Sequence, residues 1–326
     1  MVLGDFFYLY ENNIKKLQYI FMIHKRCTIQ YMFLFLGMYL YSSSFCAQTS
    51  FKLSKEKGFY YFDATVNGHE NTRLLAESGI PGILISESEF ERLFNDSQFE
   101  KIDSAPAEIV NQLGTTQVKQ LLKGKIRIGD LSYRGSIWVV GKHKILSETD
   151  IAIPIHRLKN EKDSTAYVIQ LDFKKNMLDM VRESSIDKSQ MKSYKIVEIH
   201  PKPIFESTLF LADTSGHYVS LSGRFLLDFG NPMPLDLFYN NSETRKFLKE
   251  NNFRITEAAD KKGKKIESGM YALNASKIKL GDKKMTNITI AITTAFKKMR
   301  EIGFVGPSMF RGRVLIDEKN SFIYYE

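Results

Sequence analysis

The chain has 326 residues, 46 of them basic and 37 acidic, for a formal net charge of +9. With 43% hydrophobic and 25% charged residues and no low-complexity tract, it has ample apolar chain for a core, which excludes a disordered or fibrous protein. The charges are interspersed: the lysine run at 261–265 is flanked by Asp260 and Glu267, and no basic stripe is interleaved with aromatics, which argues against a nucleic-acid partner.

The first segment reads as a leader. Lys25 and Arg26 precede an apolar run at 31–41, followed by Ser42, Ser43 and Ser44 and then Phe45, Cys46 and Ala47. A basic start, about ten apolar residues and then small side chains is the pattern of a secretory signal peptide; a spanning helix needs about 20 apolar residues. Residues 1–47 are therefore expected to be a signal peptide, cleaved between Ser44 and Ala47, with 1–21 as an over-long start ahead of Met22. Lipid attachment at Cys46 is the rival, which the bulk of Phe45 disfavours. Export to the periplasm or beyond is expected, with no membrane span after cleavage, and the Ala-Gln start resembles exported proteins of Bacteroidetes. Cys27 and Cys46 are the only cysteines, so the remaining chain has neither a disulfide nor a thiol nucleophile. Losing Lys15, Lys16, Lys25, Arg26, Asp5 and Glu11 with the leader leaves 42 basic and 35 acidic residues, a balance of +7.

From Phe59 onward the pattern is β: short runs rich in Val, Ile, Phe and Tyr, separated by Asn-Gly, Gly-Asp and Gly-His turns. A strand at 60–66, a hairpin turn at Asn67-Gly68-His69 and a returning strand at 72–76 end in Glu77-Ser78-Gly79. A short helix is predicted at 86–94, with Ser86 or Ser88 as its cap. The second half repeats the plan. A strand at 208–212, a turn at Ser215-Gly216-His217 and a returning strand at 218–227 end in Asp228-Phe229-Gly230, with a helix at 241–251 capped by Ser242 and another short one at 295–300.

The echo extends downstream. Lys125-Ile126-Arg127-Ile128-Gly129-Asp130 recurs as Lys277-Ile278-Lys279-Leu280-Gly281-Asp282, and 168–181 recurs as 314–325. The offset is 151 positions from Glu77 to Asp228 and 152 from Gly129 to Gly281. An offset that holds at 151–152 from the acidic turns to the Gly-Asp turns implies duplicated units. The expected division is a first unit at 48–185, a polar linker at 186–202 and a second unit at 203–326.

An acid at the end of a buried strand is costly unless something pairs with it, and a glycine just after it lets another backbone come close. Leu226-Leu227-Asp228-Phe229-Gly230, echoed by Ala76-Glu77-Ser78-Gly79, resembles the active-site signature of aspartic proteases of the pepsin and retropepsin type, as found in bacteria. Asp-Phe-Gly also occurs in protein kinases, but no glycine-rich loop, strand lysine motif or His-Arg-Asp loop accompanies it here. The protease resemblance implies an all-β fold of two pseudo-symmetric β-barrel lobes with a few short helices. It also implies that Glu77 and Asp228 meet between the lobes and share one proton. One activates a water and the other polarises a peptide carbonyl. Ser78, Gly79, Phe229 and Gly230 would form the active-site loops. A flap is expected around Gly114 and Thr115, with Gly263 at the corresponding place in the second lobe. A peptide or protein would lie in the inter-lobe cleft.

Four departures from the family pattern bear on activity. Glu77 stands where Asp is expected, and misplacing a catalytic group by about 1 Å can cost roughly 10²-fold in rate. Phe229 replaces a Thr or Ser whose hydroxyl would bond across to the other lobe. The apolar-apolar-Gly element behind each acidic loop is intact at 302–306 but has become Ile151-Ala152-Ile153-Pro154 in the first half. Neither candidate flap offers a clear tyrosine at its tip. Two readings therefore stand: an aspartic endopeptidase, or a catalytically silent relative that binds peptides or a partner through the same cleft. Asp213-Thr214-Ser215-Gly216 looks like the signature but aligns with the Asn67-Gly68 hairpin, so it is read as a turn. His69, His143, His156, His200 and His217 show no metal-ligand spacing and are read as turn and surface residues. No metal or other cofactor is expected, and the oligomeric state is left open.

Overall fold

The computed structural model describes residues 50–326 apart from 95–97, 105, 112–113, 142–145, 147–148, 150, 161–166, 214–215, 252, 254, 258–269 and 297–298. Residues 1–47, expected above to be a leader and holding both cysteines, and Gly263 lie outside the described residues. From Thr49 onward the chain is one compact unit. Among the described residues, no helix is long and apolar enough to cross a membrane.

Each half opens with a hairpin that delivers its acid. Phe59–Val66 pairs antiparallel with His69–Glu77, turning at Asn67 (φ +47°) and Gly68 (φ +93°). Two consecutive residues with positive φ match the right-handed twist of the strands, which is why Asn-Gly serves here. Ile204–Ala212 pairs with Tyr218–Leu227 in the same way. In that turn Asp213 Oδ1 accepts from His217 N–H at 2.9 Å, and Gly216 adopts φ +83°. Asp213 is thus a turn residue.

A longer hairpin follows in each half. Gly114–Ile128 pairs with Leu131–Val140, and Met270–Leu280 with Lys283–Thr293; the turns use Gly129 (φ +56°) and Gly281 (φ +55°) at corresponding places. Behind the acidic strands run two short parallel ones. Ile151–Pro154 lies along His69–Glu77, and Gly303–Val305 along Tyr218–Leu227. Both lead into a single 3₁₀ turn, at Ile155–Arg157 and Pro307–Met309.

The last hairpin of each half does something that strand patterning does not reveal. Tyr167–Asp172 with Met177–Arg182, and Arg313–Asp317 with Phe322–Tyr325, pair with each other through Ile169 opposite Ile316. Ser50–Lys52 and Lys192–Glu198 close the two sides, giving six antiparallel strands shared by both halves. The joining stretch therefore contains a strand of its own. Its Tyr194 and Ile196 face inward in alternation with Lys195 and Val197, and Tyr194 stacks on Phe205 and Tyr325 at 4.5 and 4.6 Å. Through Lys192–Glu198 these strands continue into those of the second half, 13 strands in all, while ten strands of the first half form a separate sheet.

The core is continuous through both halves. Leu74, Ala76, Ile85 and Ile153 on one side, and Phe225, Leu227, Leu237 and Ile292 on the other, are at most 1% exposed. Complete burial of each large apolar side chain contributes about 1.5–3 kcal/mol, and these are the residues that hold the two acidic strands in place.

Two helices are described. The first, α1, covers Glu87–Leu93 and is capped by Ser86, whose Oγ accepts from Glu89 N–H at 3.3 Å. The second, α2, covers Ser242–Glu250, and its cap is Asn241 rather than Ser242. The Asn241 side-chain Oδ1 accepts from Glu243 N–H at 3.0 Å and Thr244 N–H at 3.1 Å, satisfying two of the free first-turn donors. The helix expected at 295–300 is not formed: Ala295, Phe296, Met299 and Arg300 are irregular. The Asn240 amide donates to the carbonyls of Thr294 and Phe296, and the Asn241 amide to those of Met299 and Glu301, capturing acceptors that a helix would use. Phe296 also packs edge-on against Phe238 and Phe304.

Candidate active site

The two acidic loops meet. Glu77 ends one strand and Asp228 follows another, and their carboxyl groups are hydrogen-bonded directly to each other. The contact is closed from both sides by glycine. A Cβ on Gly79 would lie 2.5 Å from Asp228 Cγ, and one on Gly230 would lie 1.7 Å from Glu77 Oε1. Each carboxyl thus occupies the space that a side chain on the opposite loop would need. The extra methylene of Glu77 is absorbed in this way: its carboxyl reaches across the lobe boundary and lies against the Gly230 backbone.

Backbone donors orient both groups. Glu77 Oε2 accepts from Ser78 N–H at 3.0 Å and Gly79 N–H at 3.1 Å, while Asp228 Oδ1 accepts from Gly230 N–H at 3.1 Å. The loops are latched from one side only. Ser78 Oγ accepts from Phe229 N–H at 2.9 Å and donates to the Leu227 carbonyl at 2.8 Å. Phe229 has no hydroxyl with which to return the bond; its ring is fully buried, 6.1 Å from that of Phe173.

The supports behind the loops also differ. In the second half Val305 O accepts from Asp228 N–H at 2.9 Å, and Gly306 follows where a Cβ would come within 2.0 Å of Met233 O. In the first half Pro154 stands opposite Glu77 in the parallel register. Proline has no N–H to give, so the first half lacks a counterpart of the bond from Gly306 N–H to Pro234 O.

Burial sets the electrostatics. Glu77 is 2% exposed and Asp228 9%. Desolvation pushes both carboxyls upward, and Glu77 far above the ordinary range because the Asp228 charge and the shared hydrogen bond act in the same direction. For Asp228 the upward push is opposed by the bond from Glu77, the Lys202 ammonium and the Gly230 amide. Two buried carboxyls in contact cannot both ionise, so they share one proton and titrate as a unit.

Of the remaining site residues, Gly114 and Thr115 begin the strand that pairs with Glu108–Asn111, Asn111 opposite Gly114, so they sit at the end of a hairpin where Thr115 is exposed. Gly263, expected at the flap of the second lobe, is outside the described residues. Among those described, no cluster of His, Cys, Asp or Glu could hold a metal ion. His156 corrects the reading of the histidines as turn and surface groups. It is 2% exposed, its Nε2 lies 3.1 Å from Pro201 O, and burial lowers its pKa to about 3. Since a carbonyl only accepts, the neutral ring carries its proton on Nε2. Motif reading passed over Lys202, whose charge acts on both carboxyls; the signal that could have found it is strand register.

No protein-family model matches the chain, and no curated protein sequence matches it significantly. Solved structures do. An aspartic proteinase from Irpex lacteus superposes with a TM-score of 0.55 at 11% identity, over 85% of this chain and 96% of that one. Basic 7S globulin from soybean is also similar, with a TM-score of 0.47 at 10% identity over 86% and 94% of the two chains. The chain has the two-lobed fold of pepsin-like aspartic proteinases.

Proposed function

We propose that the chain hydrolyses peptide bonds with Glu77 and Asp228 as a proton-sharing pair, acting on a peptide or unfolded protein held between the lobes. One observation carries this reading: two carboxyls from sequence-distant, duplicated loops are brought into direct contact, each filling the space that a glycine on the opposite loop leaves. Asp228 would take a proton from water as that water attacks the scissile carbonyl carbon. Glu77 would give its proton to the developing oxyanion; as the C–N bond of the gem-diol breaks, Asp228 would pass the proton taken from water to the leaving amine and Glu77 would recover one from a gem-diol hydroxyl. The monoanion of the pair is the working form, so the rate should fall at low pH as Asp228 is protonated and at high pH as Glu77 loses its proton.

A second reading, a cleft that binds peptides without cutting them, is favoured by the one-sided Ser78 latch and the near-complete burial of Glu77. The deciding experiment incubates the purified chain with denatured protein across acidic pH, beside Asp228→Asn, with and without a pepstatin-like inhibitor. Cleavage that disappears in the variant supports hydrolysis by the pair. Cleavage that survives in Asp228→Asn ends the mechanism, and inhibitor binding without cleavage selects the silent cleft. We further propose that residues 1–47 direct export to the bacterial envelope.

A further inference from the structure

Lys202 lies between two prolines at the end of the joining stretch, and its backbone is clamped on both sides. Pro201 O takes the hydrogen bond from His156, and Pro203 O accepts from Leu227 N–H at 3.0 Å. A residue that precedes proline is held in extended conformation, so Lys202 continues the line of Ile204–Ala212. That strand pairs with Ile204 opposite Leu226 and Phe205 opposite Phe225. Continuing the register two residues outward sets Lys202 opposite Asp228. Directly opposed residues of an antiparallel pair project from the same face with Cβ atoms about 4.5–5.5 Å apart.

The duplicated hairpin makes the comparison internal. In the first half Tyr61 stands opposite Leu75, and the same register brings Phe59 opposite Glu77. Phe59 belongs to an apolar cluster with Tyr61, Leu75 and Leu84. One acid of the pair therefore has a lysine as its cross-strand neighbour, and the other has a phenyl ring.

We propose that Lys202 is the counter-ion of the carboxyl pair, and that the Lys202–Phe59 asymmetry assigns the roles: Asp228 keeps the negative charge and Glu77 keeps the proton. The assignment of roles in hydrolysis rests on the function proposed above; the counter-ion role does not. Lys202 is half-buried and, among the described residues, makes no direct ion pair or hydrogen bond of its own. Burial lowers its pKa, and the charges that oppose this are Asp228 first, then Glu77 and Glu301. Those three carboxyls are the charges within electrostatic reach of it. An ammonium within electrostatic reach of Asp228 lets a buried pair remain singly ionised where desolvation alone would protonate both members. It also makes Asp228 a weaker base, so any hydrolysis would extend further into acid than with a neutral residue at this place.

The test reads titration rather than turnover, so it is independent of whether the chain is an enzyme. Side-chain carboxyl carbons are followed by NMR across pH in the full chain, in Lys202→Met and in Lys202→Arg. The Asp228 carboxyl should titrate about one pH unit higher in Lys202→Met, and Lys202→Arg should return it towards the parent. An unchanged Asp228 midpoint in Lys202→Met, or an arginine variant that behaves like the methionine one, overturns the proposal. If Lys202→Met fails to fold, the Lys202 ε-carbon is titrated in the parent and in Asp228→Asn. Loss of the carboxylate should lower the lysine midpoint, and equal midpoints overturn the proposal. Loss of peptide hydrolysis with these shifts intact would remove the enzyme reading and leave the counter-ion in place.

Discussion

Replacing Gly230 by alanine is the sharpest probe of how the pair is built. A Cβ there would stand 1.7 Å from Glu77 Oε1, 2.1 Å from Cδ and 2.6 Å from Oε2. Gly230 does not have positive φ, so the cost is one of space and not of backbone strain. The Glu77 carboxyl has to leave, and with it go its bonds from Ser78 N–H and Gly79 N–H and its contact with Asp228. Leaving buried polar groups without their partners costs about 1–3 kcal/mol, and Gly230→Ala should destabilise the chain by an amount in that range. Removing the obstacle should recover much of the loss, because in Glu77→Ala/Gly230→Ala the new methyl meets only the space the carboxyl left. Urea unfolding at neutral pH of the parent, both single variants and the double variant measures the coupling, expected to be at least about 1 kcal/mol and favourable. Additive effects, or a Gly230→Ala cost below about 0.5 kcal/mol, would mean that Glu77 does not lie against Gly230, and the site would have to be rebuilt.

Two further outcomes follow from the same geometry. Ser78→Ala removes both latch bonds and leaves the buried Phe229 N–H without its acceptor, so it should cost about 1–3 kcal/mol in unfolding free energy, while Ser78→Thr keeps the hydroxyl and should stay near the parent; equal losses in both would refute the latch. Glu77, whose folded pKa is raised, binds its proton more tightly in the folded than in the unfolded chain, so stability should fall as pH rises from the ordinary glutamate value of 4.5 through the folded midpoint. In Glu77→Gln that slope should flatten in a pH series of denaturation curves, and an unchanged slope would show that another group is responsible.

Much of the site was legible as letters. The 151-residue offset, the glycine two residues after each acid and the recurrent Gly-Asp turns all survive as structure, because they depend on local geometry: which residues tolerate positive φ at Gly129 and Gly281, and which strands alternate. The Asp213 turn could be set aside for the same reason. Caps and short helices were less secure. Asn241 and Ser242 are both good caps, and Phe296 and Met299 resemble a helical face until the Asn240 and Asn241 amides claim the carbonyls of that segment.

What local pattern could not supply is partnership. Alternation shows that Tyr167–Asp172 and Arg313–Asp317 each bury a face, but nothing in either strand says that they pair with each other and bind the halves into shared strands. His156 reads as a polar residue in a turn, yet its backbone follows Pro154 beneath the acidic loops and buries the ring. Composition and the internal repeat determined that this chain is a duplicated β protein carrying one acid per half. Tertiary structure alone decided that the two carboxyls touch, that glycine on each side makes room for the opposite one, and that a buried lysine comes within electrostatic reach of the pair. The reason is physical: turn and strand preferences act over a few residues, whereas the free energy of a buried charge depends on whatever the fold brings within a few ångströms of it.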